Sequence, residues 1–170
     1  MNIFVTNESP VKSAQVLPDK HIVKMPLETC QMLSIVASDK WGHGYGTLPK
    51  IDGTPYATDK GAFRNHPCTI WANETLANTR WLLSHGFALC QEYAARYEKV
   101  HSCFTTLLAA DAIIPDVSWV DYTPFVRAMP DEYKLDDSIT TMEAYKMYIA
   151  SKPWVCNNYL RLPDRKPEWV

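Results

Sequence analysis

Nothing in this 170-residue chain comes near the roughly 20 consecutive apolar residues that span a bilayer, and the opening MNIFVTNESP has no basic stretch running into a long apolar core. On these grounds the chain is expected to be soluble and cytoplasmic, with no membrane partner. An excess of one charge is missing too. Seventeen Lys and Arg stand against 19 Asp and Glu, for a net charge of -2 and a pI near 6.2. No global field draws phosphates, so any nucleic-acid surface has to come from a local cluster of cations. There is no G-x-x-x-x-G-K-[ST], no G-x-G-x-x-G after a strand and no G-x-S-x-G, which argues against a P-loop, a dinucleotide-binding domain and a serine hydrolase of the usual kind.

CxxC pairs are likewise lacking. Cys30, Cys68, Cys90, Cys103 and Cys156 are odd in number and scattered, which reads as reduced thiols. Two H-x-C pairs, His66 with Cys68 and His101 with Cys103, supply ligand types for zinc, but a long helix would hold them apart; no metal and no cofactor are expected.

What is present is a 46% hydrophobic composition, enough for one core. The reading is a mostly α, single compact helical domain over residues 1–170, with a short N-terminal extended arm and long ordered loops. Met1 to Val5 reads as a strand or arm, and TNESP as a turn. A helix follows Pro18 with Asp19 as its N-cap; Pro26 removes an amide inside it, so it is expected to kink or restart there. Five of the six glycines fall in the loop between Trp41 and Asn65, and ordered loops of that length often carry function. A long helix is expected from Pro67 to His101 with Gly86 as its weak point, then a short apolar helix, a proline-punctuated loop, a last amphipathic helix ending before Pro153 and an aromatic tail.

Two constellations stand out. At about 100° per residue, His21, Lys24 and Glu28 share a helix face, an arrangement that offers a proton-transfer carboxylate beside a cation. The same spacing also serves an ordinary salt-bridged face. In FRNHPC, Arg64, Asn65 and His66 precede Pro67 at a helix start, where free amides favour an anion; simple capping accounts for part of this. Glu74 and Asn78, a turn or two on, are candidates to extend the same pocket.

Assembled, these residues resemble the pyrimidine-dimer DNA glycosylase/lyase family. The likeness lies in the short apolar arm, in LPDKHIVKMPLE with a glutamate seven residues after the histidine, in NHP before a helix, and in the C-terminal RKPEW. The chain is also similar to a group of small phage-encoded proteins with DKH, NHP, AMPDEY and PEW stretches. The family likeness implies an all-α enzyme whose N-terminal α-amine attacks the sugar C1′ and forms an imine with DNA, with a glutamate moving protons. By position the amine is that of Met1 and the glutamate is Glu28, with His21 beside it. An α-amine has a reference pKa of ~7.7 to 8.0, so a useful fraction is neutral and nucleophilic near neutrality. Asn2 is too large for Met1 to be removed efficiently. Where the family places arginines beside and one turn after the glutamate, this chain has Leu27 and Gln31.

Two readings follow. In the first, the chain is a glycosylase/lyase-like enzyme: Glu28, His21, Met1 and His66 carry the chemistry, and Lys24, Arg64, Asn65, Glu74 and Asn78 bind DNA or, better suited to the low pI, a free nucleotide. In the second, it is a non-catalytic phage protein whose aromatics, Trp119, Tyr122, Phe125, Tyr133, Trp154, Tyr159 and Trp169, bind a host protein or a small ligand.

Overall fold

The N-terminal arm carries β-branched residues but finds no partner strand, so side chains satisfy its backbone. In the computed structural model, which describes all 170 residues, Asn2 Oδ1 accepts from the amides of Ile3 (2.7 Å) and Phe4 (3.1 Å), and Ser13 Oγ accepts from Thr6 N (3.0 Å). Ile3, Phe4 and Val5 are buried, and the Asn2 side-chain amide donates to Ala128 O at 2.6 Å. Of the strand or arm expected there, it is the arm that forms; the only β feature is one bridge between Pro49 and Pro55. The segment after the arm is more than a turn. Ser9 caps a short helix, α1 (Pro10–Gln15), with Pro10 at its first position, where a missing amide costs nothing.

Helix α2 (Asp19–Ala37) runs through Pro26 without restarting, and tertiary packing of its buried face offsets the intrahelical bond that Ile22 O gives up. Its N-cap is Pro18, not Asp19. Asn158 caps the helix from the tail instead, its carbonyl accepting from Asp19 N (2.8 Å) and its Oδ1 from Lys20 N (2.8 Å). The Asp19 carboxylate is thereby free to bind Arg96 Nη1 (3.1 Å) and the amide of Leu160 (2.9 Å).

The long helix expected after Pro67 is two: α3 (Pro67–Glu74) and α4 (Leu76–Tyr97), broken by Thr75, whose extended backbone and hydroxyl cap α4 at Asn78 N. Helix α4 is the hub, packed by α1, α2, α3 and α5 (Phe104–Ile113). Gly86 is no weak point in it. A Cβ there would lie 2.9 Å from both Thr29 Cγ2 and Leu107 Cδ2, so the missing side chain lets α2 and α5 approach. Two more helices, α6 (Asp131–Lys134) and α7 (Thr141–Ala150), the latter with a Thr140/Glu143 capping box, complete a fold of seven helices and three short 3-10 turns. No helix is long and apolar enough to cross a membrane.

Candidate active site

The arm and α2 meet at their ends. Burial of Ile3 to Val5 draws the first residue against the middle of α2, where the Met1 amine lies 3.5 Å from Glu28 Oε2. Glu28 is only 6% exposed, and Lys24, one turn earlier and largely in solvent, reaches its other oxygen at 3.2 Å. Oε2 is buried yet accepts no hydrogen bond, so its interaction with the amine is that of two charges. These groups open onto a cleft of about 360 Å³ with three walls: Met1, Asn2 and Phe4 from the arm; Lys20, His21, Lys24, Met25 and Glu28 from α2; Tyr148, Lys152 and Trp154 from α7 and the turn after it. Three lysines and an amine face one carboxylate there, a local cationic field in a chain of net charge -2.

His21 forms the floor. Its ring stacks on Phe4 (centroids 4.1 Å) and meets the edge of Trp154 (5.7 Å), and Phe4 takes a left-handed backbone, φ 43°, to present that face. Burial, reinforced by Lys152 and then Lys24, pulls the His21 pKa down to about 3. The imidazole is neutral at physiological pH, with its Nδ1 unpartnered. His66 acts differently, as the N-cap of α3, with its Nδ1 accepting from Cys68 N at 3.1 Å. Its pKa is lowered by partial burial and by the Met1 amine, against an opposing pull from Glu28, so the ring sits within electrostatic reach of both.

The other expected binding residues do not line this cleft. Arg64 lies over the Trp41 ring (4.4 Å) and donates to the carbonyls of Lys60 and Gly61, which folds its own loop. Asn65 is exposed at the end of that loop. Asn78 is buried and structural, with Nδ2 donating to Trp71 O (2.8 Å) and Thr123 Oγ1 (2.7 Å) and Oδ1 accepting from Thr123 N (2.8 Å). Glu74 accepts from the same Thr123 hydroxyl at 3.1 Å. The two H-x-C pairs share one local motif: like His66, His101 uses Nδ1 to accept the amide two residues on, at 3.1 Å. Among the C-terminal aromatics, Phe125 and Tyr159 are buried and Trp119, Tyr122, Trp154 and Trp169 pack half-buried against the core. Lys20, Tyr148 and Lys152 are not legible as site residues in the sequence, which offers Trp154 only as one aromatic of a non-catalytic binding surface. Only Lys20 lies near the opening motif; the other three come from more than a hundred residues away.

Residues 1–105 match the family model described as pyrimidine dimer DNA glycosylase. The chain belongs to that family. No curated protein and no solved structure matches it. Membership supports a DNA glycosylase-like enzyme. The matched segment contains Met1, His21, Lys24, Glu28 and His66, whereas Tyr148, Lys152 and Trp154 lie beyond it. The family's segment thus supplies two walls of the cleft and the C-terminal third supplies the other.

Proposed function

We propose that this pyrimidine dimer DNA glycosylase family member is a DNA glycosylase/lyase that uses the Met1 α-amine as nucleophile and Glu28 as the proton-transfer group. The observation that carries the reading is the buried pairing of that amine with a carboxylate at 3.5 Å. Glu28 first takes a proton from the Met1 ammonium; the neutral amine then adds its lone pair to the sugar C1′ as the C1′–N bond to the base breaks, and the base departs with the bonding pair and takes up that proton. The added nitrogen loses a proton to Glu28 and its lone pair then expels the ring oxygen O4′, which takes that proton as the sugar opens to an imine; the imine makes the C2′ hydrogen acidic, and its removal by Glu28 expels the 3′-phosphate oxygen and cuts the strand. Buried Glu28 keeps one oxygen free of hydrogen bonds, which supports its role of taking each proton and handing it on before accepting the next. Lys20, Lys24 and Lys152 hold the flanking phosphates, in place of Arg64 and Asn65. His21, kept neutral, contributes an uncharged stacked floor rather than an acid, and His66, its Nδ1 committed to capping α3, acts on the amine only through its field.

Borohydride trapping tests this. Protein with a free N-terminus, incubated with duplexes carrying an abasic site or a UV photoproduct, should give a reduced adduct that mass spectrometry maps to the Met1 amine. Protein with a blocked amine should give none. An adduct on a lysine, or no adduct with either duplex, overturns the assignment.

A further inference from the structure

An aromatic side chain exposed to water and held in a strained backbone is an odd thing for a fold to keep, and Phe63 is both. It is 45% exposed and has φ 72°, a conformation in which glycine is the ordinary choice. The segment behind it is rigid. Arg64 stacks on Trp41 and bonds to the carbonyls of Lys60 and Gly61, Trp41 Nε1 donates to Thr58 O (2.8 Å), and a Cβ on Gly61 would come within 2.6 Å of the Trp41 ring. The tip is also tied to the start of α3: Phe63 O accepts from the amide of His66, the N-cap of that helix. On its other side Phe63 lines a second cleft, of about 400 Å³, together with Leu27, the exposed neighbour of Glu28, and Lys50. A stiff apolar tip is thus set in the cleft that borders α2 at Leu27, the residue before Glu28, with Lys50 in the same cleft and Lys60 and Arg64 on its own loop.

We propose that Phe63 is a wedge that enters the base stack of duplex DNA beside the lesion and fills the gap left when a nucleotide at that step is turned out of the duplex. The inference rests on the glycosylase/lyase reading above and adds that the substrate is duplex. Withdrawing a nucleotide from the stack is unfavourable, and an apolar side chain inserted at the step replaces part of the lost stacking. The cations on the same loop grip phosphates and hold the tip in register. Phe63 is a positioning residue: it touches neither the amine nor Glu28 and acts by favouring the unstacked substrate.

The test compares substrates that do and do not need unstacking. Single-turnover cleavage of a duplex containing a pyrimidine dimer is measured beside borohydride trapping on a single strand with an abasic site, for the wild type, Phe63→Ala, Phe63→Leu and Phe63→Gly. Loss of the wedge in Phe63→Ala should slow duplex cleavage about tenfold, the equivalent of one stacking contact of about 1.4 kcal/mol, and leave single-strand trapping unchanged. Phe63→Leu should recover part of the duplex rate. Phe63→Gly, which relieves the positive φ and so keeps the fold, should lose as much as alanine. Equal loss on both substrates, or no loss on the duplex, overturns the wedge alone. A wild type that traps no DNA overturns the amine reading, and the wedge with it.

Discussion

Replacing Glu28 by glutamine removes the only carboxylate from a cleft that also holds Lys20, Lys24, Lys152 and the Met1 amine, while keeping size and shape. The stability and activity consequences differ enough to be separated. Lys24 is 67% exposed, so its i,i+4 pair is worth only about 0.3–0.5 kcal/mol. The Met1 side is more expensive: breaking a buried pair costs about 3–5 kcal/mol, reduced here because the cleft is open to water and because the amide recovers about 1 kcal/mol of hydrogen bonding. A net loss of about 2 kcal/mol lowers the Tm of a domain this size by about 4–8 °C. The chemical loss is larger in its effect on rate. A positioned proton-transfer group contributes about 10²- to 10⁴-fold, or about 2.7–5.4 kcal/mol of barrier. At 25 °C a domain with about 5–15 kcal/mol of stability remains folded after losing about 2 kcal/mol, so single-turnover cleavage should fall at least about 100-fold in a protein whose circular dichroism is native. A Glu28→Gln protein that cleaves within about threefold of wild type would show that the carboxylate serves the amine's burial and not the reaction.

Further outcomes follow from the same geometry. His21 and His85 are buried with depressed pKa values, about 3 and about 4, and both take up a proton near pH 6.5 on unfolding. The unfolded chain therefore binds more protons below pH 6.5, so stability should be fully present above that pH and fall toward pH 4 by up to about 1.4 kcal/mol per pH unit for each histidine; melts from pH 7 to 4 measure this, and His85→Gln should flatten the slope. Arg96, fully buried, pairs with Asp19 and Glu92 and donates to the carbonyls of Leu17 and Gln15. Arg96→Met leaves Asp19 without its cation and Glu92 with Arg165 alone, and should cost about 3 kcal/mol, read as a lowered urea midpoint at unchanged m. Lys20→Ala and Lys152→Ala should each reduce the slope of log affinity against log salt by about 1 if each lysine grips a phosphate of duplex DNA, whereas an unchanged slope would place the DNA elsewhere.

How much of this was legible in the sequence depended on how local each determinant is. The 3–4 spacing of His21, Lys24 and Glu28 needs only a helix, and α2 keeps the register through Pro26 because its buried face holds it. His66 before Pro67 is equally local, and its capping role follows from the residues themselves. Thr75 is harder: it sits in an unbroken helical pattern, and nothing nearby signals that the chain turns extended there before α4 begins. Asn78 and Glu74 looked like site residues because polar groups on a helix invite a ligand, but the ligand is Thr123, 45 residues away from Asn78. Asp19 failed as an N-cap for a similar reason, since Asn158 caps α2 from the far end of the chain and leaves the carboxylate to Arg96.

The long-range contacts that hid these roles also give the C-terminal third its place in the site. Asn158 and the amides of Leu160 and Arg161 are fixed to the start of α2, the two amides by the Asp19 carboxylate, and Tyr159 donates to Val16 O at 2.6 Å. That anchoring sets the turn after α7 over His21, so that Trp154 meets the His21 ring while Lys20 lies over Trp154 (4.5 Å) and Lys152 over Tyr148 (3.8 Å). The aromatic faces hold two ammonium groups at the mouth of the cleft without a carboxylate partner, which leaves their charge available to a phosphate. The matched family segment ends at residue 105. With basic side chains absent at positions 27 and 31, the cations for a polyanion come from Lys20, Lys24 and, across the cleft, Lys152, so truncating the chain after the matched segment would remove a wall and a cation while leaving Met1 and Glu28 in the sequence. On the proposed reading, substrate grip is therefore shared between the family's segment and the C-terminal third, whereas the reacting groups belong to the first alone.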